Sequence, residues 1–112
     1  MSHPKTIVSM RHMLDYAMEA VAMAKGKSRD DLGKDRQLNL ALVRLLEIIG
    51  EAANRIPKEE QAQYPNIPWW EIISLRNRLI HAYDMVDFDI LWQIVTHDLP
   101  KLIDVLERIL PR

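Results

Sequence analysis

The segment Ser74-Leu75-Arg76-Asn77-Arg78-Leu79-Ile80-His81-Ala82-Tyr83 places a guanidinium, an amide, an imidazole and a phenol close together in the chain. Read as a helix of about 100° per residue with Arg76 at zero, it puts Ile72, Leu75 and Leu79 between about 260° and about 320°. These form a core face. Ile80 falls at about 40° and Ile73 at about 60°, so Arg76 lies between two apolar rows. Tyr83 lies almost beneath Arg76 if the helix persists that far, at about 340°. Asn77 and His81 are one turn apart, at about 100° and about 140°, and Arg78 points the other way, at about 200°.

An arginine flanked by apolar rows calls for a carboxylate, a subunit interface or an anion. The four groups suit phosphate chemistry. Arginine grips a phosphate through two N–H groups and stabilises charge developing on it. Histidine takes or gives a hydroxyl proton near neutral pH, and Asn77, one turn from His81, would hold its ring. A structural reading accounts for the same residues: Arg76 paired with Glu47 or Glu51, His81 satisfied near a helix end, Tyr83 packed with its hydroxyl in water.

Helical periodicity dominates the elements that carry this segment. A first helix is predicted over about Lys5–Lys25, with Ile7, Met10, Leu14, Ala17, Val21 and Ala24 on one face. Gly26 stops it, and Ser28-Arg29-Asp30-Asp31 opens a short turn. A second helix spans about Asp35–Arg55. Its stripe is Leu38, Leu42, Leu45, Ile49, Ala52 and Ile56. Val43, Leu46 and Gly50 form another row, which implies burial on a second side, against another helix or another subunit. Glycine inside a helix costs about 1 kcal/mol relative to alanine, so Gly50 marks a close backbone approach. Lys58–Tyr64 is a helical turn and Pro65–Pro68 a fixed connector. Pro68 opens a third helix, Trp69 to about Ala82. Asp87 or its neighbour caps a fourth, running to Leu110 on Phe88, Leu91, Val95, Leu102, Leu106 and Ile109. Pro100 predicts a kink or break near His97–Leu99. No window alternates with the period of a strand. The expected fold is all-α, a four- to five-helix up-and-down bundle with short connections, and a single domain over 1–112.

Length and composition set the limits. A chain of 112 residues allows one domain, and 15 Lys+Arg against 16 Asp+Glu give a net charge of −1. Any anion site is therefore local, not a broad basic surface; Arg78, Arg44, Arg11 and Lys34 are candidates for it. With no cysteine, thiolate chemistry and disulfides are excluded. The expectation is a cytoplasmic protein: no apolar run approaches the ~18–20 residues of a membrane span, and no signal-peptide pattern opens the chain. His3, His12 and His97 are the remaining histidines; His97 and Asp98 with His81 suggest a metal site by type, but no His-x3-His or His-Glu-x2-His spacing exists, so no metal or other cofactor is expected. His3 is assigned to a mobile terminus and His97 to solvent near Pro100. Adjacent Trp69 and Trp70 point to different sides: one belongs to the core, the other to core, interface or a base-stacking platform. Met10, Met13, Met18 and Met23 read as adaptable packing, and Asp30-Asp31 and Glu59-Glu60 as solvated charges.

Arg76-x4-His81-x-Tyr83 resembles the Arg-x(4–6)-His motif of the HEPN superfamily, in the form with a trailing x-Tyr typical of HepT-like proteins. Asn77 fits the polar residue that usually follows the arginine there. Ile48-Ile49-Gly50-Glu51-Ala52-Ala53 looks like the family's Gly-Glu-Ala helix. Ile67-Pro68-Trp69 leading into the motif is similar to its central segment, and Asp87–Leu99, ending Asp98-Leu99-Pro100, resembles its last helix. The likeness runs from about Asp35 to Leu110.

The resemblance implies a small all-α homodimer acting as a metal-independent endoribonuclease toxin, paired with a nucleotidyltransferase-type antitoxin. The active site would form where two motif helices face each other. Arg76 would orient the scissile phosphate of an RNA, tRNA or mRNA. His81 would be general base or acid for attack by the 2′-hydroxyl, leaving a 2′,3′-cyclic phosphate. Asn77 would support them, and Tyr83 would be the residue to which the antitoxin transfers AMP. Arg76 and His81 stand about 140° apart on an ideal helix, which favours a site composed from two subunits. The alternatives are a non-catalytic module that binds a nucleotidyltransferase through the same residues, and a plain helical scaffold.

Overall fold

The computed structural model describes residues 3–80 and 85–111. His81, Tyr83 and their neighbours Ala82 and Asp84 lie outside them. Among the described residues every regular element is helical, joined by one isolated antiparallel bridge between Ile80 and Val86.

Helix α1 runs over Pro4–Ala24. His3 caps it: the ring Nδ1 accepts the Lys5 N–H at 3.1 Å, and the His3 N–H donates to Glu60 Oε1 at 2.8 Å. His3 is thus tied down, where a mobile terminus was expected. Gly26, at φ +79°, supplies the left-handed turn that ends the helix. Helix α2, Asp31–Lys34, is the predicted short turn; Asp31 Oδ2 accepts the Ser28 N–H at 2.7 Å. Helix α3, Arg36–Asn54, is capped by Asp35, which accepts from Leu38 at 3.1 Å. The buried Asn39 donates to the Leu32 carbonyl at 2.7 Å and holds α2 on α3.

Helix α4, Lys58–Gln61, is a single turn. The third predicted helix is two pieces, α5 Trp69–Ile73 and α6 Leu75–Leu79. Ser74 separates them with its hydroxyl turned back onto the Trp70 carbonyl at 2.7 Å, a local bond that competes with the helix ladder. The expected run to Ala82 fails sooner: Ile80 is extended, at φ −107° and ψ 118°. Asp87 caps α7, Phe88–Gln93, by accepting from Ile90 at 3.1 Å. A π-helical turn, Ile94–Asp98, then leads into α8, Leu99–Ile109. The irregularity expected from Pro100 falls there. Proline has no N–H to return to the preceding turn, and the widened turn absorbs the defect.

Methionines Met10 and Met13 of α1, Leu42, Leu46 and Ile49 of α3, and Leu99 and Leu106 of α8 are fully buried together. Helix α1 packs on α3 and on α8. The tie from His3 to Glu60 brings the start of α1 to the end of α3, and Arg11 donates to the Pro111 carbonyl at 2.5 Å beyond the end of α8. Both neighbours therefore run antiparallel to α1. On its other side α3 carries α5 and α6. This covers the Val43–Leu46–Gly50 row, so the second row of α3 is filled by the same chain and does not call for a subunit. The molecule measures 45 × 29 × 19 Å. Its thin dimension is about two helix diameters, so α5 and α6 keep one side outward. No helix of the described residues is long and apolar enough to cross a membrane.

Candidate functional site

The site is built on α6, and α6 is placed by Gly50. A Cβ at Gly50 would stand 3.0 Å from the Ile72 carbonyl oxygen, so α5 rests directly on the α3 backbone. Ile72, Leu75 and Leu79 turn inward, 5%, 4% and 0% exposed, as the wheel requires. Trp69 is half-buried and fixes the entry to α5: its indole N–H donates to the carbonyls of Gln61 and Tyr64 at 3.0 and 3.1 Å. At the exit, the Asp87 N–H donates to the Leu79 carbonyl at 2.9 Å beside the Ile80–Val86 bridge.

The outward side carries Trp70, 78% exposed, half-buried Ile73 and Ile80, and exposed Arg76 and Asn77. Met85, 67% exposed, stands next to the bridge. Arg76 thus lies in a partly apolar exposed strip. Among the described residues it has no ion pair. The structural pairing with Glu47 or Glu51 does not form, because Arg44 takes both carboxylates, at 3.5 and 3.4 Å. Of the remaining candidates for a local basic footprint, Arg78 pairs with Asp98 at 3.6 Å and Arg11 is held by Pro111. The footprint is therefore spread over different helices. His81 and Tyr83 lie outside the described residues. The described helix ends at Leu79, with Ile80 extended, and the expected angle of about 140° between Arg76 and His81 rests on a residue outside those described.

Trp69 is the inner and Trp70 the outer of the tryptophan pair. His97 is exposed within the π-turn. It lines a cavity of about 440 Å³ with Trp92, Gln93, Asp98 and Lys101. A larger groove, about 1050 Å³, lies between α1 and the end of α3 and includes neither Arg76 nor Asn77. No group of three or more His, Asp or Glu side chains suited to a metal occurs among the described residues. The sequence reading missed the Arg78–Asp98 pair. The signal was available: a regular helix would place Asp98 within the apolar stripe of the last helix. Glu60 and Asp31, expected as solvated charges, also accept backbone N–H groups. The His3 backbone N–H first, then the Thr6 hydroxyl, hold the Glu60 carboxyl below its usual range, and the Ser28 N–H does the same for Asp31.

The family described as ribonuclease HepT-like matches residues 13–109, a span that holds α3, the α5–α6 unit and the whole of Arg76-x4-His81-x-Tyr83. The chain belongs to the ribonuclease HepT-like family. Relatives of the same length agree. A protein of Caldanaerobacter subterraneus subsp. tengcongensis, provisionally named as an RNase, is 37% identical over 103 residues, 92% of each chain. The "Probable ribonuclease HepT" of Thermococcus cleftensis is 36% identical over 105 residues, 90% of this chain and 96% of its own. No solved structure matches the chain. Within this HepT-like chain, Arg76 and Asn77 are the motif residues whose placement is described, and both face outward.

Proposed function

We propose that the protein is a metal-independent endoribonuclease of a toxin–antitoxin pair, acting in the cytoplasm on tRNA or mRNA. The observation that carries the reading is Arg76: a guanidinium without an ion pair among the described residues, exposed between two half-buried isoleucines on the outer side of a HepT-like chain. A phosphate diester is the partner that this group suits. Arg76 orients the scissile phosphate and neutralises charge that builds on it. His81 moves the proton of the attacking 2′-hydroxyl or of the leaving 5′-oxygen, and Asn77 supports the phosphate. The products are a 2′,3′-cyclic phosphate and a free 5′-hydroxyl. Two chains meet through the strip of Trp70, Ile73, Ile80 and Met85, and a composite site results. A nucleotidyltransferase antitoxin silences it by placing AMP on Tyr83, where a bulky anion competes for the phosphate position.

The test uses protein made in cells without any partner, its intact mass measured so that Tyr83 is known to be unmodified. Total tRNA and mRNA are incubated with it in EDTA beside Arg76→Ala and His81→Ala. Cleavage that survives EDTA and disappears in both variants, with cyclic phosphate ends, is the expected result. No cleavage by a folded, unmodified dimer on either RNA pool would reduce the protein to a non-catalytic module for a nucleotidyltransferase.

A further inference from the structure

Arg78 faces away from the exposed strip. Its guanidinium lies 3.6 Å from the Asp98 carboxylate, and the two side chains are 36% and 39% exposed. Asp98 is the last residue of the π-helical turn. On an uninterrupted α-helix with Leu91 at zero, Ile94 falls at about 300°, Val95 at about 40°, Leu102 at about 20° and Asp98 at about 340°. A regular helix would aim this carboxylate into the apolar core, where it would lack compensation. The i→i+5 turn winds the chain through a smaller angle per residue. Asp98 is thereby carried to the rim of the core, where Arg78 meets it.

Helix α6 needs such a contact. Five residues between Ser74 and the extended Ile80 have little helical stability of their own. Leu75 and Leu79 bury one side, and the Asp87 N–H on the Leu79 carbonyl holds the exit, but neither contact bears on the flank opposite Arg76. Arg78 is on the flank away from Arg76, and a tie on that flank fixes the rotation. We propose that Arg78 and Asp98 are positioning residues: through the π-turn they set the rotation of α6 and so the aim of Arg76 at the RNA phosphate. The inference rests on the ribonuclease reading and adds to it the device that orients its arginine.

The test compares Arg78→Ala, Asp98→Asn, the double variant and the exchange Arg78→Asp with Asp98→Arg. Cleavage gives kcat and KM, and amide hydrogen exchange follows α6 independently of activity. Each single variant should lower kcat about tenfold or more, as small misplacements of a catalytic group do, with KM within about twofold. The double variant should be no worse than the poorer single one, and the exchange should recover most of the rate. Exchange at the amides of α6 should accelerate severalfold, with α1 and α3 unchanged. If Arg78 binds RNA itself, Arg78→Ala raises KM and Asp98→Asn, by freeing the guanidinium, lowers it; that pattern overturns the proposal. Unchanged exchange in α6 overturns it as well. A wild-type protein that cuts no RNA removes the ribonuclease reading, and positioning for cleavage with it, even where α6 exchange still responds.

Discussion

Replacing Gly50 by alanine sets two effects of similar size against each other. The helix interior gains about 1 kcal/mol from the better helix former. The new methyl carbon would stand 3.0 Å from the Ile72 carbonyl oxygen and 3.7 Å from that of Ile73. Comfortable carbon–oxygen contacts lie at about 3.3–3.6 Å, so α5 must retreat by a few tenths of an ångström. That oxygen is main chain within α5 and cannot rotate away like the end of a flexible side chain. Its residue, Ile72, is 5% exposed, so the retreat opens packing elsewhere. Overpacking of this kind costs about 1–3 kcal/mol. The expected net is a loss of about 0–2 kcal/mol, at most a fall of about 8 °C in Tm at roughly 4 °C per kcal/mol for a domain of this size.

Urea unfolding measures the balance directly, through a lowered midpoint at unchanged m. Cleavage should suffer more than stability. Only Ser74 separates α5 from α6, and a shift of α5 is passed on to Arg76. Gly50→Val should worsen both. A Gly50→Ala protein more stable by the full ~1 kcal/mol, with normal activity, would refute the argument: α5 would then yield without cost, and Gly50 would not be serving close approach.

Three further outcomes are expected. Leu79→Ala removes a fully buried side chain and should cost about 2–5 kcal/mol in urea unfolding, with Arg76 losing its platform. Glu60→Gln should flatten the acid limb of the stability curve. The folded Glu60 carboxyl lies below its ordinary 4.5 because the His3 N–H binds the charged form, so its contribution is present above that pH and fades as pH falls through the folded value; unfolding midpoints from pH 6 to 3 would show it. Trp70→Ser, at a position 78% exposed, should leave the unfolding of the single chain nearly unchanged and weaken self-association in sedimentation velocity.

The long helices were legible because their signals are local. Asp35 and Gly26 act on the turns next to them, and three- and four-residue periodicity needs only the chain itself. Gly50 was legible for a related reason: a residue costly in a helix interior needs a neighbour to justify it, and α5 is that neighbour. The motif segment was legible in type and mistaken in shape. Its apolar pattern runs through Ile80 without a break. What ends the helix is remote or subtle: the Ser74 hydroxyl on the Trp70 carbonyl, and the pairing of Ile80 with Val86 and of Leu79 with Asp87. The second row of α3 was read correctly as buried, but periodicity cannot say what covers it. Charge partners are least legible of all. Glu47 and Glu51 suited Arg76 by type, and Arg44 on their own helix took them.

Arg76 ties the proposed dimer to its substrate. Its neighbours Ile73 and Ile80 are half-buried in one chain, and further burial of such surface favours association by about 25 cal/mol per Å². The guanidinium opposes it. Two copies brought across the strip would hold two cations that have no ion pair among the described residues, and like charges in a partly desolvated contact repel. A phosphate between them reverses the sign, since each arginine then gains a charge-assisted bond. Association driven by the isoleucines and restrained by the arginines would therefore be strongest with an anion bound, and linkage would then require the anion to bind the dimer more tightly than the single chain. Neutralising Arg76 should have opposite effects on the two halves of this balance: the empty pair tightens while its response to phosphate disappears. A residue serving only the fold would move neither.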